Sequence, residues 1–235
     1  MRDVNIILRR GDQPVAPTMG RRALSMAPLI LAFACIACSS VLGPYYLRQG
    51  KRDFEKSDYP HARAQFEKAI QNDPEQAEAL YYLGRCYEEE KNFDQALSRY
   101  RQVVALDPRH REARGRLAEN YYQAGLDPLA IREYQLLLLE NPEDSQALFR
   151  LGNLAYRQDK YPAAAAYFQR VLQLNPEEAR AYFNLGVIYG YDLGDPARAR
   201  DYFQQYLARV STGESSDQAR AWLQGPESPA TEVLP

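Results

Sequence analysis

Two histidines, His61 and His110, a lone mid-chain cysteine, Cys86, and a run of three acids, Glu88, Glu89 and Glu90, are the side chains that could do chemistry in the body of this 235-residue chain. A zinc site draws Cys and His ligands from short, repeated spacings, and neither histidine has such a neighbour. His61 falls in a turn and His110 closes a repeating segment, so both read as solvated. General acid–base work needs one carboxyl of a pair held in a dry pocket. Three successive glutamates read instead as a solvated helix end. Cys86 stands where equivalent segments place Asn120, Leu154 and Ile188, so a small packed side chain explains it without invoking a nucleophile. No glycine-rich phosphate loop is present. The expectation is a chain with no catalytic residue, no metal ligand set, no cofactor and no small-molecule substrate.

What positions these residues is a 34-residue period. Counting from Gly43, the eighth place of successive segments holds Gly50, Gly84, Ala118, Gly152 and Gly186, and the twentieth holds Ala62, Ala96, Ala130 and Ala164. An aromatic stands at the twenty-fourth place, as Phe66, Tyr100, Tyr134 and Phe168, and proline at the thirty-second, as Pro74, Pro108, Pro142 and Pro176, each after Asp or Asn. Small residues let two antiparallel helices cross closely, and the aromatic is expected to fill the gap toward the next hairpin. Proline has no amide hydrogen and clashes with the preceding turn, so it stops the second helix. A single hairpin cannot bury its apolar faces, but a stack can.

These residues at these spacings resemble the tetratricopeptide repeat (TPR) family over roughly three quarters of the chain. The resemblance implies an all-α fold, a right-handed α-solenoid of about five helix-turn-helix units at 43–76, 77–110, 111–144, 145–178 and 179–213, closed by a capping helix over 214–224. The first unit diverges, with Gln49 in place of Leu, as an end cap requires. Asp127-Pro128 is expected to cap a second helix, and Leu136 to Leu139 to spread over two buried faces. Unit five slips by one residue within Gly190 to Asp195, which reads as a lengthened surface turn or a contact loop. The tail 225–235, rich in Pro, Glu, Ser and Thr, is expected to be disordered.

Residues 1–37 form a leader, with an almost uncharged run over 23–42 behind Arg21 and Arg22. The sequence Cys35-Ile36-Ala37-Cys38-Ser39-Ser40 resembles the lipobox of bacterial lipoproteins, with Cys35 where Leu is usual. That resemblance implies lipidation at Cys38, a short tether over 38–42 spanning at most roughly 20 Å, and, since Ser39 is not Asp, the outer membrane facing the periplasm. Two other readings stay open: an uncleaved anchor helix in the inner membrane, or a buried apolar helix or other targeting peptide. Whether Met1 or Met19 starts the leader is open too. Both membrane readings put the repeats in the cell envelope. The leader carries five arginines and two aspartates, leaving 24 basic against 29 acidic groups beyond it, the wrong sign for nucleic acid.

In the repeat family the first helices line the concave side. Their inward positions hold Tyr81, Tyr122, Phe149, Tyr156, Phe183 and Tyr191, interleaved with Lys51, Arg85, Arg116, Arg150 and Arg157. Rings beside guanidiniums can grip an extended peptide or a partner helix, so the expected partner is a protein held in that groove. The family's carboxylate clamp of Lys and Asn is not reproduced, since Asn153 is the one Asn at the ninth place. The implied function is a lipid-anchored envelope adaptor resembling pilotin-like or NlpI-like lipoproteins. The alternative is a permanent structural subunit of an envelope or motility complex.

Overall fold

A computed structural model of the chain describes residues 42–225. The leader, Cys38, the tether to Val41 and the tail beyond Gly225 lie outside the described residues. Helices run in sequence as α1 (42–55), α2 (Tyr59–Asn72), α3 (Ala77–Glu89), α4 (Phe93–Leu106), α5 (Arg111–Gln123), α6 (Asp127–Glu140), α7 (Ser145–Arg157), α8 (Tyr161–Leu174), α9 (Ala179–Val187), a π-helical turn at Ile188–Asp192, α10 (Pro196–Arg209) and α11 (Glu214–Gln224). No strand occurs among the described residues. From α2 onward each helix packs on the one before and the one after it, and α11 closes against α10 and α9. The helices thus stack as consecutive pairs. Among the described residues none is long and apolar enough to cross a membrane.

Two kinds of stop alternate along the stack. Within a unit, the first helix ends on a residue in the left-handed region: Ser57 (φ 61°), Lys91 (59°), Gly125 (70°) and Asp159 (56°). The next amide donates back five residues, from Asp58 to Asp53, Asn92 to Tyr87, Leu126 to Tyr121 and Lys160 to Ala155, at 2.7 to 3.0 Å. Between units, Asp73, Asp107, Asn141 and Asn175 leave the second helix in extended conformation, as the residue before proline must. Their side chains then accept from the amides two residues on, Glu75, Arg109, Glu143 and Glu177, at 2.9 to 3.3 Å. Proline forbids continuation, and the Asp or Asn closes the turn that replaces it.

The repeated glycine does a different job from the one its spacing suggests. A β-carbon placed on Gly50, Gly84, Gly152 or Gly186 would lie 2.6 to 2.8 Å from a ring of Phe66, Tyr100, Phe168 or Phe203. In these four hairpins the aromatic therefore fills the space its own glycine leaves, and Phe66 and Phe203 also reach the next element as expected, stacking on Tyr82 at 5.5 Å and packing on Trp222 at 5.1 Å. The buried rings and alanines form two apolar clusters that share α7: Ala147, Leu151 and Leu154 face the first, and Leu148, Phe149 and Ala155 the second.

Several local expectations are corrected. Asp127 lies inside α6, with Leu126 at the cap position, and its carboxylate accepts from Arg157 at 2.7 Å instead. Leu137 is buried but Leu139 is 80% exposed, because a 3.6-residue period cannot bury four leucines in a row. His110 is half-buried: its Nδ1 accepts from the Ala113 amide at 3.3 Å and its ring lies 5.0 Å from Tyr81. His61 is exposed, its ring bonded to Asp58 at 2.9 Å. The extra residue of unit five neither extends a loop nor forms a free turn. It widens the last turn of the first helix, where Leu193 donates to Ile188 and Asp195 to Tyr189, six residues back where other units count five. Gly190 then lies against Trp222, whose indole would be 2.9 Å from an added β-carbon.

Candidate functional site

Bonds between units are made chiefly by the first helices. Glu88 of α3 accepts from the Tyr100 hydroxyl at 2.7 Å, from Asn120 of α5 at 2.6 Å and from Arg116 at 3.4 Å. One unit later Glu119 accepts from the Tyr134 hydroxyl at 2.9 Å and from Arg150 of α7 at 2.8 Å. Burial, followed by the adjacent carboxylate, pushes both tyrosine hydroxyls well above their usual range, so each remains a donor. Glu88 thus differs from its exposed neighbours Glu89 and Glu90: it is a joint between repeats rather than a solvated end.

The inward rings fall into three groups. Tyr122 is held between two guanidiniums, Arg150 at 4.6 Å and Arg157 at 4.4 Å from its centre, while Asn153 donates to its hydroxyl at 3.4 Å. Asn184 continues the line, donating to Asn153 at 3.3 Å. Tyr122, Asn153, Tyr156, Arg157, Phe183 and Asn184 line a cleft of about 410 Å³ crossing α5, α7 and α9. Tyr156 and Tyr191 are the open rings, 37% and 67% exposed. Tyr156 lies near Asp192 of the π turn, and desolvation raises the Asp192 carboxyl above its ordinary value.

Phe149 is only 9% exposed. Its edge meets Phe168 at 5.3 Å and Arg180 covers its face at 4.6 Å, so most of this ring is spent on packing. At the other end Arg85 stacks on Phe54 at 4.5 Å, and Lys51 pairs with Glu78 at 2.5 Å. Tyr81 is half-buried and opens onto a second cleft, of about 530 Å³, that includes Arg111, Gly115, Arg116 and Gln146. The structure therefore brings Tyr122, Arg150, Tyr156 and Phe183 to one side of a shared face and Tyr81 and Arg116 to the other. It gives Phe149 and Arg85 internal partners.

Cys86 is fully buried and its thiol is pushed up to about 12, mainly by desolvation and then by Glu90. Such a thiol supplies no thiolate near neutral pH. Among the described residues no three His, Cys, Asp or Glu side chains gather as a metal site.

One charged cluster escaped the sequence reading. Arg114 and Glu133, whose side chains are 7% and 2% exposed, pair at 2.7 Å between α5 and α6. Arg132 also pairs with Glu133 at 2.7 Å, and Arg114 donates to the Pro108 carbonyl. The signal lay in the column: the fourth place of other units holds Tyr46, Leu80, Leu148 and Tyr182, so an arginine there is out of type.

Comparison with known proteins fits this geometry. Tetratricopeptide repeat models match residues 47–97, 130–178 and 149–214, and a second such model matches 88–151. No curated protein matches the chain. Among solved structures, a crystal structure of MamA superposes with a TM-score of 0.67 at 23% identity, covering 72% of this chain and 92% of that one. The crystal structure of YrrB, described as a TPR protein with an unusual peptide-binding site, gives 0.68 at 19% identity, covering 74% and 90%. MamA 41-end from Desulfovibrio magneticus RS-1 gives 0.67 at 18%, covering 73% and 96%. With paired helices, glycine–aromatic hairpins and these matches together, the chain belongs to the tetratricopeptide repeat family.

Proposed function

We propose that this protein is a non-enzymatic adaptor of the bacterial cell envelope, anchored through lipid on Cys38, that docks a protein segment along the inner face of its first helices. The repeat family generally forms scaffolds for protein contact rather than catalysts. The cleft crossing α5, α7 and α9 carries this reading: it offers exposed ring surface at Tyr156 beside the Asn153 and Asn184 amides, which can bond to a peptide backbone. Similarity to YrrB, whose structure is described as holding a peptide-binding site, supports the same class of ligand. The small residue before Cys38 and the serines after it support the anchor.

A photo-crosslinking residue at Tyr191 tests the groove, and one at Leu139, the most exposed apolar residue outside it, serves as comparison. In intact envelopes the adaptor reading expects adducts from Tyr191 and few from Leu139. Equal labelling from both identifies a permanent subunit buried on its two sides, and no adduct from Tyr191 rejects the groove. Cys38→Ala should release the protein from membranes. Unaltered fractionation would replace the lipid with an uncleaved helix.

A further inference from the structure

The fifth place of the unit is where the array departs from itself. It holds Leu47, Tyr81, Phe149 and Phe183, but Gly115 in unit three. Where a ring is present it packs on the large aromatic of its own hairpin: Tyr81 on Tyr100 at 6.0 Å, Phe149 on Phe168 at 5.3 Å, Phe183 on Phe203 at 6.0 Å. At Gly115 an added β-carbon meets nothing within 4 Å. Its backbone is ordinary helix, with no left-handed φ to favour glycine. Unlike Gly84 or Gly152, it makes no room for a neighbour. A glycine inside a helix lowers stability relative to a residue with a β-carbon, and neither packing nor backbone geometry accounts for it here. What the missing side chain leaves is the 530 Å³ cleft, with Tyr81, Tyr134, Leu137 and Ala147 along its apolar wall.

We infer that this notch is a socket for an aromatic side chain of an extended partner peptide, which stands where the repeat's own ring would stand, and that Arg116 holds a carboxylate beside it. The inference rests on the reading of the inner face as a docking groove and names the chemistry it takes. Charge favours an acidic neighbour. Two of the three carboxylates around the cleft are engaged, Asp144 with Arg111 at 2.7 Å and Glu119 with Arg150 and the Tyr134 hydroxyl, while Glu112 stands at the rim with its side chain 71% exposed. Arg116 is 47% exposed and reaches Glu88 only at 3.4 Å, because Tyr100 and Asn120 already occupy that carboxylate at 2.7 and 2.6 Å. With that one long bond to Glu88, its five-donor fork keeps capacity for a bidentate carboxylate. The carboxylate is a side chain within the peptide, so no free C-terminus is required.

The test uses the full chain in detergent and a fluorescein-labelled, C-terminally amidated peptide with phenylalanine followed by two aspartates between alanines, read by anisotropy. The expected result is saturable binding that weakens at least tenfold when the peptide's phenylalanine becomes alanine, and severalfold when its aspartates become asparagine. Gly115→Phe, which fills the notch from within, should abolish binding with helix content unchanged. Gly115→Leu serves if that variant fails to fold. Arg116→Gln should weaken binding of the aspartate peptide to the level of the asparagine one, whereas Leu139→Ala, exposed outside the groove, should leave it unchanged. Equal binding of the ring-free peptide, wild-type affinity in a folded notch-filled variant, or no binding at all overturns the socket. Crosslinks from Tyr191 without peptide binding sink the socket alone, and absence of both sinks the groove as well.

Discussion

Substituting alanine for Gly152 and, separately, for Gly115 sets two opposing forces against each other at two sites on neighbouring first helices. Alanine in a helix interior is favoured over glycine by about 1 kcal/mol. At Gly115 nothing opposes that gain, since the new methyl meets no atom within 4 Å, so Gly115→Ala should stabilise by roughly 0.5 to 1 kcal/mol. At Gly152 the methyl would lie 2.8, 2.9 and 3.1 Å from three carbons of Phe168, closer than unstrained carbons approach. That ring cannot retreat: it is 1% exposed and is wedged by the edge of Phe149. Overpacking of this kind costs about 1 to 3 kcal/mol, so the net change at Gly152 should be destabilising, by up to about 2 kcal/mol. The two variants should therefore differ by roughly 1 to 3 kcal/mol, or several degrees in melting temperature for a chain of this size. Urea denaturation followed by far-ultraviolet circular dichroism and Trp222 fluorescence measures both. Phe168→Leu introduced into the Gly152→Ala background should recover part of the loss, giving a coupling energy between neighbours in contact. If Gly152→Ala stabilises as much as Gly115→Ala, the ring does not occupy the glycine's space and the account of the hairpin fails.

Lys91 adopts φ 59°, where a β-carbon costs about 1 to 2 kcal/mol and glycine somewhat less than that in chain entropy. Lys91→Gly, which copies Gly125, should therefore raise stability by roughly 0.5 to 1 kcal/mol, and a fall in the urea midpoint would contradict the turn assignment. The hydrogen bond that the His61 ring donates to Asp58 raises the imidazole above its ordinary 6.5, while the same contact lowers Asp58 below 3.8. Their mutual support is then complete between about pH 4 and 6.5. It fades as pH rises through the folded His61 value, and again as pH falls through that of Asp58. A proton NMR titration of His61 should show the raised midpoint, and Asp58→Ala should return it to the ordinary value. Arg114→Ala strips one partner from a buried carboxylate and should cost about 3 kcal/mol, whereas Arg114→Leu with Glu133→Met should cost far less. Calorimetry of the single and double variants separates the two, and equal losses would argue against the buried pair.

The positions that recur at every period were legible because their spacing alone implies a partner: glycine at the eighth place, the aromatic at the twenty-fourth, and the acid–proline stop. Their pairing was not. Spacing cannot tell that a ring seats against its own glycine, as the distances from Gly50, Gly84, Gly152 and Gly186 show, while also touching the next element, as Phe66 does at Tyr82 and Phe203 at Trp222. The inserted residue of unit five was located by the slip in register, but counting cannot choose between a longer loop and a wider helical turn. On the inner face, spacing alone presents every ring and guanidinium as available surface. Phe149 and Arg85 have internal partners, and Arg150 and Arg157 clasp Tyr122 as well as lining the face. Gly115 carries no side chain, so nothing in its residue type signals a role until the cleft beside it is seen. Arg114 and Glu133 stand 19 residues apart, a separation that signals contact only once α5 and α6 are folded together.

Helix α7 touches both apolar clusters, one with each flank, and no other first helix divides its buried residues in this way. The fully buried side chains ahead of it share one oil-like interior and those behind it another, with half-buried Leu138 and Tyr167 touching both, so it works as the keystone of the array. Under tension or chemical denaturant the polypeptide should part there into halves that keep their own interiors. An occupant bridging Tyr81 and Tyr156 would splint the seam, so that capture of a guest also fastens its host.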